Sequence, residues 1–177
     1  MRAIFPSFSL NGGYPPRSAA SDCLLMTDSE IAQPGTPVRQ FTIFLENKVG
    51  ALMRIVRFLD SVGVEVLGLS VSDSVDATMV RVIVSDPDTV LLHFLEKGIP
   101  FSVIEVLVVA IKTDTTDLRR CLSVLLEADI NINFSYPLLV KPPSGNSLAM
   151  HVDNEELAAQ RLRECGFKTL FQEQLGR

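Results

Sequence analysis

The sequence predicts an α+β protein made of two βαββαβ units, each an antiparallel sheet with its helices on one face, and three observations carry that prediction. The first is an internal repeat at a spacing of 66 residues. Phe41, Ile43 and Leu45 recur as Leu107, Val109 and Ile111; Leu52, Ile55, Val56 and Leu59 recur as Leu118, Cys121, Leu122 and Leu125; Val64 and Val66 recur as Ile130 and Ile132. The second is the order of hydrophobic periods inside each copy, strand, helix, strand, strand, helix, strand. The third is the junction, because 101–111 contains no loop and the last strand of one copy runs straight into the first strand of the next.

The first unit opens at Arg39, where Phe41, Ile43 and Leu45 alternate with Gln40, Thr42 and Phe44 as a strand requires. Glu46-Asn47-Lys48-Val49-Gly50 then forms a turn that ends in the residue with the widest backbone freedom. A helix follows, with apolar positions 52, 55, 56 and 59 on one stripe and Arg54, Arg57 and Asp60 on the solvated face. Gly63 stops it. Val64 to Ser72 reads as the second strand, Asp73 to Ala77 as a hairpin loop and the Val- and Ile-rich stretch Thr78 to Val84 as the third strand. Asp86 caps a second helix with Pro87 in its first turn, Gly98 ends it, and Phe101 to Val106 is the fourth strand. That order is the ferredoxin-like arrangement.

The second unit repeats it: strand Val106 to Ile111, helix Asp117 to Ala128, strand Ile130 to Leu139, the turn Pro142 to Asn146, strand Ser147 to Val152, helix Asn154 to Cys165 and strand Phe167 to Phe171. Asp153 with Glu156 three residues later resembles a capping box, and Gly166 stands as the stop. Both faces of 101–111 are apolar, with Leu107, Val109 and Ile111 on one and Ile104, Val106 and Val108 on the other, so burial on both sides is expected. Either a homodimer or an intimate pairing of the two units within the chain supplies the cover. The units are placed at 39–106 and 107–177; a domain of this size buries only about 60% of its unfolded surface, so neither is expected to be robust alone. Residues 1–38, rich in Ser, Pro and Gly in their first 36, are expected to be disordered, with Met26 a sensible alternative start.

Composition excludes several functions. Lys and Arg number 16 against 21 Asp and Glu, a net charge of −5 with no basic run, which argues against a nucleic-acid partner. The strands Thr78 to Val84 and Ser147 to Val152 also lack the aromatic residues on which RNA bases would stack. The longest unbroken apolar run is Val106 to Ile111, far short of the roughly 20 residues that cross a bilayer, so no membrane partner is expected. Cys23, Cys121 and Cys165 are odd in number and form no CxxC pair, and they read as reduced core residues of a cytoplasmic protein. His93 and His151 stand in no metal-ligand spacing, and no nucleophile elbow, phosphate loop or dinucleotide fingerprint occurs. No catalytic residue, metal or cofactor is expected.

The run Leu45-Glu46-Asn47-Lys48-Val49-Gly50-Ala51-Leu52, followed by a helix and Gly63-Val64-Glu65-Val66, resembles the strand-turn-helix signature of ACT domains. Leu125-Leu126-Glu127-Ala128-Asp129-Ile130-Asn131-Ile132 is similar to the end of an ACT helix and the strand after it. The first copy also resembles the leading domain of the acetolactate synthase regulatory subunit, through Glu46-Asn47, Gly50-Ala51-Leu52, Arg54-Ile55-Val56 and Leu69-Ser70-Val71. The resemblance covers about 39 to 172. It implies a small-molecule sensor, usually of amino acids, attached to or associated with a metabolic enzyme, and a ligand site on Glu46, Asn47, Lys48, Val49, Gly50, Ala51 and Leu52.

Physical chemistry supports that placement. A helix start offers unpaired N–H groups and a partial positive charge to an α-carboxylate, and glycine at Gly50 lets it come close to the backbone. Asn47 or Glu46 offers oxygen to an α-ammonium. The same residues also suffice as a plain turn and cap. In the second copy Thr113-Asp114-Thr115-Thr116-Asp117 replaces the glycine turn, so that copy is expected to have lost or inverted the site, unless these residues serve simply as helix caps. Asn131, Asn133 and Ser135 share one strand face by alternation, as candidates for polar groups in a pocket completed by copy one, or as a solvated face. The sequence therefore predicts an amino-acid-binding regulatory protein, or an interaction subunit of a biosynthetic enzyme.

Overall fold

A computed structural model describes residues 35–73, 78–112, 115–140 and 145–175. The hairpin loop at 74–77, part of the turn at 141–144 and all but 35–38 of the segment expected to be disordered lie outside these residues. The first unit comprises β1 (Val38–Leu45), α1 (Ala51–Ser61), β2 (Val66–Asp73), β3 (Thr78–Val84) and α2 (Pro87–Glu96). Asp86 caps α2 as its sequence suggests, its carboxylate accepting the Thr89 N–H at 3.1 Å. The long strand β4 (Phe101–Ile111) is unbroken and serves both units. Beyond it come α3 (Thr115–Glu127), β5 (Ile132–Pro137), β6 (Asn146–Val152), α4 (Glu155–Glu164), β7 (Thr169–Leu170) and α5 (Gln172–Leu175).

Several boundaries differ from expectation: β2 begins at Val66, not Val64, and β5 spans Ile132–Pro137, not Ile130 to Leu139. Helix α3 starts two residues before Asp117. Asn154, not Asp153, caps α4, its side chain accepting the Leu157 N–H, which leaves Asp153 to accept from Asn133 at 3.1 Å. The last strand shortens to Thr169–Leu170 because the chain turns into α5, where Gln172 N–H donates to Thr36 O at 3.0 Å.

The strands run β2-β3-β1-β4-β6-β5, all antiparallel, with β7 beside β4. β4 gives its first half to β1, Val106 opposite Val38, and its second half to β6 and β7, Leu107 opposite Met150 and Val108 opposite Leu170. Two cores lie under the helices. Phe41, Ile43, Leu59, Val82 and Phe94 fill the first; Leu107, Val109, Leu125, Met150 and Leu162 fill the second. The repeat is thus a repeat of cores, with Leu59 and its counterpart Leu125 both wholly buried.

A third core settles what covers the other face of β4. Val38, Leu67, Ile83, Val106, Val108, Tyr136, Ala149 and Leu175 pack together from both units, so the pairing is within the chain. The sheet curls until its two edges touch: Gly68 of β2 bridges Leu138 just after β5, and Leu139 N–H donates to Leu67 O at 2.8 Å. A Cβ at Gly68 would stand 2.7 Å from Leu138 Cδ2 and 3.3 Å from Tyr136 Cε2, which is why the contact takes the residue without one. Inside, Tyr136 O–H donates to Gln40 Oε1 at 2.7 Å and Gln40 Nε2 donates to Thr42 Oγ1 at 3.2 Å. Burial raises the Tyr136 phenol above its ordinary range, opposed by the Arg81 charge. That guanidinium lies 4.4 Å over the Phe134 ring.

Candidate functional site

The residues expected to hold a ligand lie where β1 hands over to α1. Lys48 N–H donates to Glu46 O at 2.7 Å and Ala51 N–H to Lys48 O at 3.1 Å, a tight turn that Gly50 closes at φ 82°. In that left-handed conformation a Cβ would press on the following carbonyl. Nothing lies within 4 Å of where a Gly50 Cβ would stand, so the backbone selects glycine and the space above it is open. No side chain caps α1 and its first turn holds no carboxylate. The N–H groups of Leu52 and Met53 have no hydrogen-bond partner among the described residues. Free donors at a helix start concentrate partial positive charge there.

An open cleft of about 330 Å³ spreads from this point. Leu45, Glu46, Asn47, Lys48, Gly50, Ala51 and Leu52 line it, and so do Val71 of β2 and Thr78 of β3. Its volume is at the lower end of the range for small-molecule sites. Val71 and Thr78 escaped the sequence reading because strand pairing brings them in: Leu45 stands opposite Thr78, and Val71 opposite Val80. Val49 is fully exposed and does not line the cleft. Lys48 Nζ lies 2.5 Å from Glu46 Oε2; this hydrogen bond and the lysine charge, with a smaller contribution from Arg54, hold the Glu46 carboxyl below its usual range. The mouth therefore carries a carboxylate at neutral pH beside the positive helix end.

The second unit is built differently at the equivalent place. Thr113 and Asp114 lie outside the described residues. Asp117, the counterpart of Ala51, accepts the Lys112 N–H on Oδ2 at 2.9 Å and has Arg120 at 3.8 Å from Oδ1. Its side chain is only 12% exposed. One of the chain's own carboxylates is folded into this loop.

Asn131 and Asn133 do not line the first-unit cleft. β5 is bulged between Ile132 and Phe134, and Asn133 Nδ2 donates to Asp153 Oδ1 and meets His151 Nδ1, both at 3.1 Å, while Asn131 Nδ2 donates to Asn133 Oδ1 at 3.4 Å. The His151 ring stacks on Phe134 at 5.3 Å. Cys121 is free and buried, its thiol pushed up to about 11 first by burial and then by Asp117. Among the described residues no group of three or more His, Cys, Asp or Glu is placed to hold a metal, and no helix is long and apolar enough to cross a membrane.

Two ferredoxin-like units joined in one continuous sheet, with a ligand-sized cleft at a helix start in the first, define a tandem ACT-type protein. The chain belongs to the ACT domain pair family, whose profile matches residues 36–173. Among solved structures it is similar to a protein from Bacteroides thetaiotaomicron, with a TM-score of 0.73 at 21% identity over 81% of this chain and 98% of the other. It is also similar to the ligand-free regulatory subunit of aspartate kinase from Thermus thermophilus, with a TM-score of 0.51 at 12% identity over 73% of this chain and 90% of that one. At these identities the likeness shows the fold. No curated protein matches the chain.

Proposed function

We propose that this chain is a non-catalytic, cytoplasmic sensor that binds an amino acid and exerts allosteric control over amino-acid metabolism, with its units at 39–106 and 107–177 joined inside β4. One observation carries the reading: in the first unit the helix start is uncapped, free of carboxylates and open to a cleft, while in the second Asp117 fills the equivalent loop. The α-carboxylate docks on the Leu52 and Met53 N–H groups above Gly50, and Asn47 and Glu46 receive the α-ammonium. Lys48 holds Glu46 ionised, and Val49 and Ala51 shape the turn around them. This pose leaves Asn131 and Asn133 to their own part of the sheet.

A thermal-shift screen of the full chain against the twenty amino acids at millimolar concentration tests it. A ligand at 100 times its dissociation constant stabilises the fold by about 2.7 kcal/mol. One chemical group of amino acids should raise the melting temperature, Gly50→Asp should abolish the rise and Thr116→Ala should leave it. No rise for any amino acid would overturn the reading.

A second reading, an interaction subunit of a biosynthetic enzyme such as acetolactate synthase, has its own support. Leu118, Leu122 and Leu126 form a stripe along α3 with exposures of 36%, 41% and 65%, apolar surface suited to a partner, whether an enzyme or a second copy of the chain. Light scattering of the isolated protein and coelution with the purified enzyme separate these partners.

A further inference from the structure

The second unit carries a cleft of its own, beside the loop equivalent to the first-unit site and open towards the chain that leads into β7. About 170 Å³ in volume, it is bounded by Lys112, Asp117, Arg120, Phe167 and Lys168. The lysines are brought together by the sheet: Ala110 N–H donates to Lys168 O at 2.9 Å, and Lys112 lies two residues further along the same strand end. Neither ammonium has an ion-pair partner among the described residues. Arg120 is held in place, its guanidinium 4.9 Å over the Phe167 ring, donating to Cys165 O and paired with Asp117 at 3.8 Å.

The charges decide what such a cleft takes. Asp117 offsets Arg120, so the two lysines leave a local charge of +2 in a chain whose net charge is −5. Two cationic side chains lining one small cleft are matched best by a ligand that carries two negative charges on a compact group. A carboxylate supplies one; a phosphoryl group supplies up to two at neutral pH, with three acceptor oxygens. We propose that the second unit binds a small phosphoryl dianion, free phosphate or the phosphate of a metabolite, between Lys112 and Lys168, with Arg120 as the fixed donor at its edge. This inference uses none of the residues from Glu46 to Leu52, and it places the anion on the lysine side of the cleft, away from the Asp117 carboxylate that occupies the loop of the second unit.

Titration calorimetry of the full chain tests it, with inorganic phosphate and glycerol phosphate as probes and acetate as the monoanion control, at constant ionic strength. Both phosphates should bind saturably and acetate should not. Tighter binding of the ester would assign the site to a metabolite, tighter binding of inorganic phosphate to the free ion. For the ester, affinity should rise with pH through about 6 as the second proton leaves. The double variant Lys112→Gln/Lys168→Gln should weaken binding by roughly tenfold or more, the scale of a lost charge-assisted hydrogen bond, while Gly50→Asp should leave it unchanged. Because both lysines are exposed, an unaltered melting temperature for the double variant keeps the comparison fair; Lys112→Arg/Lys168→Arg, which retains the charge, covers the case in which that variant melts early. No saturable phosphate binding, equal binding of acetate, or equal binding by the glutamine variant would each overturn the proposal.

Discussion

Removing one oxygen atom tests how the two units are joined. Tyr136 on β5 reaches across the curled sheet to β1, where its O–H donates to Gln40 Oε1 at 2.7 Å. Gln40 is wholly buried and Tyr136 is 6% exposed, so water cannot replace the lost donor in Tyr136→Phe. An acceptor stranded in this way costs about 1–3 kcal/mol. For a chain of this length each kcal/mol moves the melting temperature by about 2–4 °C, so a fall of about 2–12 °C is expected. Gln40→Met removes the stranded oxygen but also the donor to Thr42 Oγ1, so adding it to Tyr136→Phe should recover part of the loss, and Thr42→Val added to that pair, which leaves no polar group unpaired, should recover more. The measurement is urea unfolding of the two single variants, the double and the triple, followed by circular dichroism. A coupling energy of roughly 0.5 kcal/mol or more is expected for groups in contact. A Tyr136→Phe cost below about 0.5 kcal/mol, with no coupling to Gln40, would refute the argument that this buried bond ties the units together.

The same tyrosine gives the protein an alkaline limit. Its phenol is raised in the folded state by burial, so its contribution is fully present below the unfolded phenol's pKa of about 10 and is lost as pH rises from there towards the folded value; pH-dependent melting should show stability falling above about pH 10, less steeply in Tyr136→Phe. Gly50→Ala meets no neighbour but must hold φ 82°, so a loss of about 1–2 kcal/mol is expected in chemical denaturation. Leu59→Ala and Leu125→Ala each empty a wholly buried position in one of the two helix-covered cores and should each cost about 2–5 kcal/mol. Because β4 and the shared core link the units, either change should lower a single calorimetric transition; two resolved transitions would contradict that linkage.

What the sequence determined by itself is the local and the repeated. Alternation at Phe41, Ile43 and Leu45, the 3.6 period through Ile55 and Leu59, and the stops at Gly63 and Gly98 depend on neighbours a few residues away, and the repeat then copied one reading onto the other. Gly50 was legible for the same reason, since its left-handed backbone belongs to the turn itself. Tertiary structure decided the rest. Bulges between Val66 and Gly68 and between Ile132 and Phe134 recur at the repeat spacing, and each shifts the alternation by one residue. Leu67 consequently joins the shared core while Leu69 packs under the helices, and strict alternation could not place Asn133. Val71 and Thr78 entered the first cleft through strand register, and Lys112 and Lys168 met through the pairing of β4 with the chain leading into β7. The meeting of Gly68 with Leu138 and the bond from Tyr136 to Gln40 join residues far apart in the chain. Local periodicity specifies which side chains are apolar and how they alternate; which distant surface they face is set when the sheet curls and buries its second side.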